Sequence, residues 1–77
     1  MLDISVKQMK YAVEIGRCGS INQAAQNLYV TQSSLSKAMK ELENVLGYAV
    51  FQRGPSGTTV TEEGRTFLLT AEEIVYK

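Results

Sequence analysis

Between Ser20 and Gly47 the chain holds two amphipathic segments separated only by Tyr29-Val30-Thr31. That short link constrains the fold more than any other feature of the sequence. The first segment reads as a helix over about Ser20 to Leu28. Ile21, Ala24, Ala25 and Leu28 recur at i, i+3, i+4 and i+7, which is one face of a 3.6-residue period. Ser20-Ile21-Asn22-Gln23 has capping-box spacing, and the two small alanines let a neighbouring helix approach closely. Thr31 caps the second segment, which runs to about Leu46 and closes at Gly47. Its apolar positions are Leu35, Ala38, Met39, Leu42 and Leu46, while Gln32, Ser33, Ser36, Lys37 and Lys40 occupy the other face.

The flanking sequence predicts three further elements. Ser5 and Gln8 have capping-box spacing, and Met9, Ala12, Val13 and Gly16 fall on one face, so a helix is expected over about Ser5 to Arg17, ending at Cys18-Gly19. After Gly47 the period changes. Tyr48 to Gln52 and Thr58 to Val60 are rich in β-branched or aromatic residues, and Arg53-Gly54-Pro55-Ser56-Gly57 between them holds the only proline; this reads as a small hairpin. Thr61 then caps a last helix of about 16 residues, roughly 24 Å long. Glu62 and Glu63 suit its positive N-terminal end, and Phe67, Leu68, Ala71, Ile74 and Val75 form its apolar stripe. Two helices joined by a tight turn, the second polar on its outer face, form the helix-turn-helix pattern. The expected fold is mainly α: a winged helix-turn-helix with a three-helix core, a short two-strand wing and a long C-terminal linker helix. Residues 1–60 are expected to form the winged domain and residues 61–77 the linker and dimerisation helix.

Composition removes several function classes. A chain of 77 residues, 44% hydrophobic and 21% charged, suits one small soluble domain with a thin core. No apolar run approaches the roughly 20 residues that span a bilayer. Met1 to Lys10 lacks the apolar block of a signal peptide, so a cytoplasmic location without membrane contact is expected. The chain has no histidine; Ser33, Ser34 and Ser36 therefore have no nearby base, and no enzyme is expected. Glu62-Glu63 and Glu72-Glu73 suit a helix end and a solvated face rather than paired-carboxylate catalysis. Without a His/Cys cluster, no metal site and no cofactor are expected. Cys18 is alone, so it makes no internal disulfide, and it reads as a small buried or half-buried filler.

The polar face of the third helix suits the major groove, which is about 12 Å wide and admits one helix, N-terminal residues first. Gln32 can pair bidentately with adenine, Lys37 can reach guanine O6/N7, and Ser33 and Ser36 fit several base edges or a phosphate. Thr31 can touch a phosphate as well as cap the helix, and Lys40 can fix register on the backbone. Arg53, read as the wing tip, followed by Gly54, can lie along the backbone or enter the minor groove. Taken singly, each of these is also an ordinary solvated or turn residue; the order of elements is what points to DNA. Eight Lys/Arg balance eight Asp/Glu, which weighs against phosphate binding and favours the alternative, a winged-helix protein–protein module. Against that alternative, Lys37 and Lys40 meet no acid until Glu41, and only Glu41 and Glu43 are acidic between Arg17 and Arg53.

The run Gly19-Ser20-Ile21-Asn22-Gln23-Ala24-Ala25-Gln26-Asn27-Leu28-Tyr29-Val30-Thr31-Gln32-Ser33-Ser34-Leu35-Ser36-Lys37 resembles the LysR-type transcription regulators. Glu41-Leu42-Glu43, Leu46-Gly47 and Val50-Phe51-Gln52-Arg53 match the family's run into its wing, and Thr61-Glu62-Glu63-Gly64 the start of its linker helix. The resemblance implies that Thr31, Gln32, Ser33, Ser36, Lys37 and Arg53 contact double-stranded DNA. It also implies that the last helix pairs with a second subunit, here through Phe67, Leu68, Ala71, Ile74 and Val75. Members are typically dimers or tetramers, carry a small-molecule-sensing domain after this one, and activate or repress nearby genes. The chain is accordingly expected to be a fragment or a truncated protein, responsive to an effector only if a C-terminal domain exists. Ser33 stands where the family often has proline, which is expected to bend or loosen the helix start. Lys37 stands where arginine is usual, replacing a forked donor with a single ammonium.

Overall fold

A computed structural model describes residues 4–76. Along them run α1 (Val6–Cys18), α2 (Ile21–Leu28), α3 (Gln32–Leu46), β1 (Phe51–Gly54), β2 (Gly57–Val60) and α4 (Glu62–Val75). Every helix starts at a hydroxyl cap. The Ser5 side chain accepts from the Gln8 amide at 3.1 Å while Gln8 Oε1 accepts from the Ser5 amide at 3.0 Å, a complete capping box. Thr31 and Thr61 accept from the amides of Ser34 and Gly64 at 3.1 and 2.9 Å. At α2 only the serine half of the expected box forms: Ser20 accepts from the Gln23 amide at 3.2 Å, but the Gln23 side chain donates forward to Asn27 Oδ1 at 3.0 Å. Gly19 and Gly47 close α1 and α3 in the left-handed conformation, where the missing Cβ removes the steric cost. Tyr29 takes the same conformation, φ 59°, at the α2–α3 turn.

The core lies where α1, α2 and α3 meet. Ala12, Ile15, Ala24, Leu35 and Leu42 are fully buried, with Ile21, Ala25 and Met39 beside them. Ile15 is absent from the face read off the sequence, although it lies three residues past Ala12 and joins the same stripe. The fourth helix lies along α1. Ala71 is buried, and Phe67 and Leu68 pack against the three-helix core. A Cβ added at Gly16 would sit 3.0 Å from Leu68 Cδ1, so that glycine admits α4 at close range. One face of α4 therefore shares the core of the residues before it. No helix among the described residues is long and apolar enough to cross a membrane.

The wing is a two-stranded antiparallel ladder, Phe51 opposite Val60 and Arg53 opposite Thr58, closed at Gly54 and Gly57. Its first strand begins later than the expected Tyr48 to Gln52. The reason lies in the backbone groups of Val50, which are already engaged. Its amide donates to Glu43 Oε2 at 2.7 Å, and its carbonyl accepts from the Thr61 amide at 2.9 Å. Val50 is instead a fully buried plug under the wing. The second strand begins at Gly57, one residue before the expected start, and the Thr58 amide donates to the Gly19 carbonyl at 3.1 Å, tying the wing to the α1–α2 turn.

The first turn of α4 passes directly over this plug. A Cβ at Gly64 would collide with the Val50 carbonyl oxygen and lie 2.8 Å from Val50 Cα, and backbone cannot give way as a side-chain tip can. Gly64→Ala is therefore expected to destabilise the domain by about 1–3 kcal/mol, the usual cost of overpacking. A thermal melt checks this, and an unchanged Tm would contradict it.

Candidate nucleic-acid interface

Burial along α3 alternates with its helical period. Leu35, Met39 and Leu42 are turned into the core, so Gln32, Ser33, Lys37 and Lys40 are necessarily turned out, and all four are exposed. Every polar position read from the sequence on this helix thus lies on one outward ridge, except that Ser36 is half-buried. Its cover is the wing: Arg53 Nη2 donates to Ser36 Oγ at 2.6 Å. The two residues are 17 apart in sequence, and the fold makes them one surface. Arg53 is not at the tip, as expected from the turn signal; it pairs with Thr58 one position before the Gly54–Gly57 closure. Gly54, Pro55 and Ser56 form the exposed tip itself.

At the N-terminus of α3 the hydroxyls form a local cluster. Thr31 Oγ1 donates to Ser34 Oγ at 2.8 Å and lies 3.4 Å from Ser33 Oγ. Ser33 does not interrupt the helix: α3 runs from Gln32 to Leu46, with its start held by the Thr31 cap. Ser34 thus completes the capping cluster beside the ridge.

A notch of about 280 Å³ between α3 and the wing is bordered by Ser36, Lys40, Glu43 and Arg53. Glu43 is the residue here that sequence reasoning missed. Its carboxylate accepts from the amides of Val50 and Phe51 at 2.7 and 3.1 Å. No local signal marks it, because its partners lie seven and eight residues on, beyond the Gly47 turn.

Away from this ridge, Cys18 is half-buried and its thiol donates to Glu14 Oε2 at 3.1 Å. That hydrogen bond, with burial second, pushes the thiol pKa up, opposite to the activation a redox sensor needs. The Asn27 amide group, 2.9 Å from the same oxygen, and then Cys18 hold the Glu14 carboxyl below its ordinary range.

The α4 stripe divides. Ala71 is buried, Phe67 and Leu68 are half-buried against the core, and Val75 is half-buried. Of the five residues expected to meet a second subunit, only Ile74 is exposed, at 47%. Leu69, which was outside the expected set, is 61% exposed. Tyr76 at the helix end is held against Arg17, whose guanidinium lies 5.5 Å from the ring centroid and donates to the phenol oxygen at 2.7 Å.

Comparison with known proteins matches this arrangement to one family. The model of the bacterial regulatory helix-turn-helix proteins of the lysR family matches residues 6–65. The chain is 42% identical over 72 residues to the HTH-type transcriptional regulator YcgK of Bacillus subtilis (strain 168), covering 94% of this chain and 22% of that protein. It is 35% identical over 75 residues to the HTH-type transcriptional regulator BsdA of the same organism, covering 96% and 26%. It thus spans about a quarter of the length of these curated relatives. Among solved structures, the DNA-binding domain of CbnR in complex with DNA superposes with a TM-score of 0.90 at 30% identity, covering 95% of this chain and 84% of that one. The BenM DNA-binding domain bound to benA site 1 DNA superposes at 0.89 with 27% identity, covering 95% and 82%. The chain belongs to the lysR family of bacterial regulatory helix-turn-helix proteins.

Proposed function

We propose that this domain reads double-stranded DNA with α3 in the major groove and the wing against the adjacent minor groove or backbone, as part of a transcription regulator. One observation carries the reading: the outward ridge from Gln32 to Lys40 stands exposed on a buried apolar stripe, with the wing cation Arg53 hydrogen-bonded to its centre at Ser36. A helix so anchored presents its N-terminal side chains to base edges without further rearrangement. Gln32 offers the bidentate amide that suits adenine, and Lys37 the ammonium that suits guanine O6/N7. Ser33 and Ser36 supply short hydroxyls for bases or phosphates. Thr31 and Lys40 flank them as backbone contacts that fix register. Arg53 and Gly54 bring the wing to the sugar–phosphate edge, where a slim turn admits close approach.

The balanced formal charge implies weak non-specific affinity, because counterion release scales with the phosphates neutralised. Two domains acting together offset that weakness. We infer a homodimer through α4, with Leu69 and Ile74 supplying the exposed apolar surface and Phe67, Leu68, Ala71 and Val75 the packed side beneath it. The symmetry of such a dimer suits half-sites about one helical turn or more apart. Acting on bacterial DNA, the protein works in the cytoplasm and needs no catalytic centre or cofactor. A small molecule acts on this reading only if a C-terminal domain exists beyond these 77 residues. The zero net charge favours one other reading, a winged-helix module that binds protein instead.

Gln32→Ala and Lys37→Ala are each expected to weaken binding to the cognate site by about 1–3 kcal/mol, with Gln32→Ala affecting random DNA less. Fluorescence anisotropy on both DNAs at two salt concentrations measures this. Equal losses for Gln32→Ala on both would remove it from base reading, and affinity without salt dependence would favour the protein-binding module. Sedimentation at increasing concentration is expected to show a dimer that Leu69→Glu with Ile74→Glu converts to monomer; a wild-type monomer at high concentration would contradict pairing through α4.

A further inference from the structure

The ridge on α3 is fixed by its own buried stripe. The wing is not: its two strands pair only with each other among the described residues, and a lone hairpin is marginally stable in water. Something must set its angle to α3 for Arg53 to reach DNA. Three features of the structure converge on one carboxylate. Glu43 lies on α3, two turns beyond Ser36 on the side bordering the notch. Its Oε2 accepts from two successive backbone amides, Val50 at 2.7 Å and Phe51 at 3.1 Å. Those amides belong to the residue before β1 and to its first residue, and Arg53 follows Phe51 two positions later on the same strand.

Resting on the DNA-binding reading above, we propose that Glu43 is the positioning residue of the wing: its carboxylate locks the root of β1 to the recognition helix and thereby sets where Arg53 meets DNA. A bond from an ionised acceptor to amide donors is shorter and stronger than a neutral one, and two donors on one oxygen fix direction as well as distance. Arg53 closes the arrangement from the other end by donating to Ser36 on the same helix. The wing is thus clamped to α3 at its root and near its tip. With Arg53 turned to DNA, the two Glu43 hydrogen bonds remain to hold the root of the strand to the helix. Other contacts at the wing run elsewhere, from Thr58 to Gly19 in the α1–α2 turn and from Thr61 at the start of α4 to Val50, and Phe51 packs non-directionally against the core; Glu43 supplies the directional contact from α3 to the root of the strand. An acid placed on a DNA-facing element without this task would only repel phosphate.

The test is a double-mutant cycle between Glu43 and Arg53 in the full 77-residue chain, read as affinity for the selected cognate site. E43Q removes the charge at nearly constant shape, and E43D keeps the charge but draws it back by one methylene. Circular dichroism first establishes which variants are folded, and either folded variant suffices. E43Q or E43D is expected to weaken cognate binding about 3- to 30-fold in the wild-type background, the scale of one misplaced DNA contact. In the R53A background the same change is expected to cost less than twofold, because the contact it positions is already gone. Loss of protection at the wing's flanking backbone in a hydroxyl-radical footprint, with protection by α3 retained, would accompany it. Equal losses in both backgrounds would show that Glu43 only supports folding, and no loss in either would overturn the proposal. If the wild-type chain shows no salt-dependent DNA binding at all, the underlying reading fails instead.

Discussion

Burial of three side chains on α3 sets everything outside the core. Leu35, Met39 and Leu42 are inserted against Ala12, Ile15, Ala24 and their neighbours, and each buried aliphatic residue contributes about 1.5–3 kcal/mol of transfer free energy. In a chain this short that stripe is a large part of the available core. Helical geometry then leaves no choice about the opposite face: once the stripe points inward, Gln32, Ser33, Lys37 and Lys40 point out. Stability and recognition are therefore the two sides of one helix, and a slip of one residue along it would lose both.

The wing depends on a different kind of bond. Beyond Phe51 against the core and Val50 beneath it, polar contacts hold it: the Glu43 carboxylate at Val50 and Phe51, Arg53 at Ser36, Thr58 at Gly19, and Thr61 at Val50. These are directional where the core is not. The result is a rigid three-helix body carrying a hairpin whose position rests on a few hydrogen bonds. This arrangement explains why Gly64 has no room for a side chain, since α4 must pass over the Val50 plug to reach α1.

What the sequence made legible follows the range of the interaction. Helix caps are contacts between residues three apart, so Ser5, Ser20, Thr31 and Thr61 mark helix starts in the sequence as they do in the structure. The apolar stripe of α3 is equally local. The wing's start is not legible in the sequence because the amides of Val50 and Phe51 are taken by a residue on another element, and no pattern within Tyr48 to Gln52 reports that. The α4 stripe was readable as apolar, but not which part α1 would cover; that depends on Gly16 admitting Leu68. Arg53 was legible as a wing cation, whereas its bond to Ser36 required the fold.

Contact between the ridge and DNA is the claim beneath all of this, and backbone amide NMR shifts on titration with the selected cognate duplex test it most directly. The account predicts that the largest changes fall on residues 31–40 and on 53–57, with the buried face of α3 and the outer face of α4 little affected. Changes confined to α1 and α4, with the 31–40 signals unmoved at saturation, would contradict it.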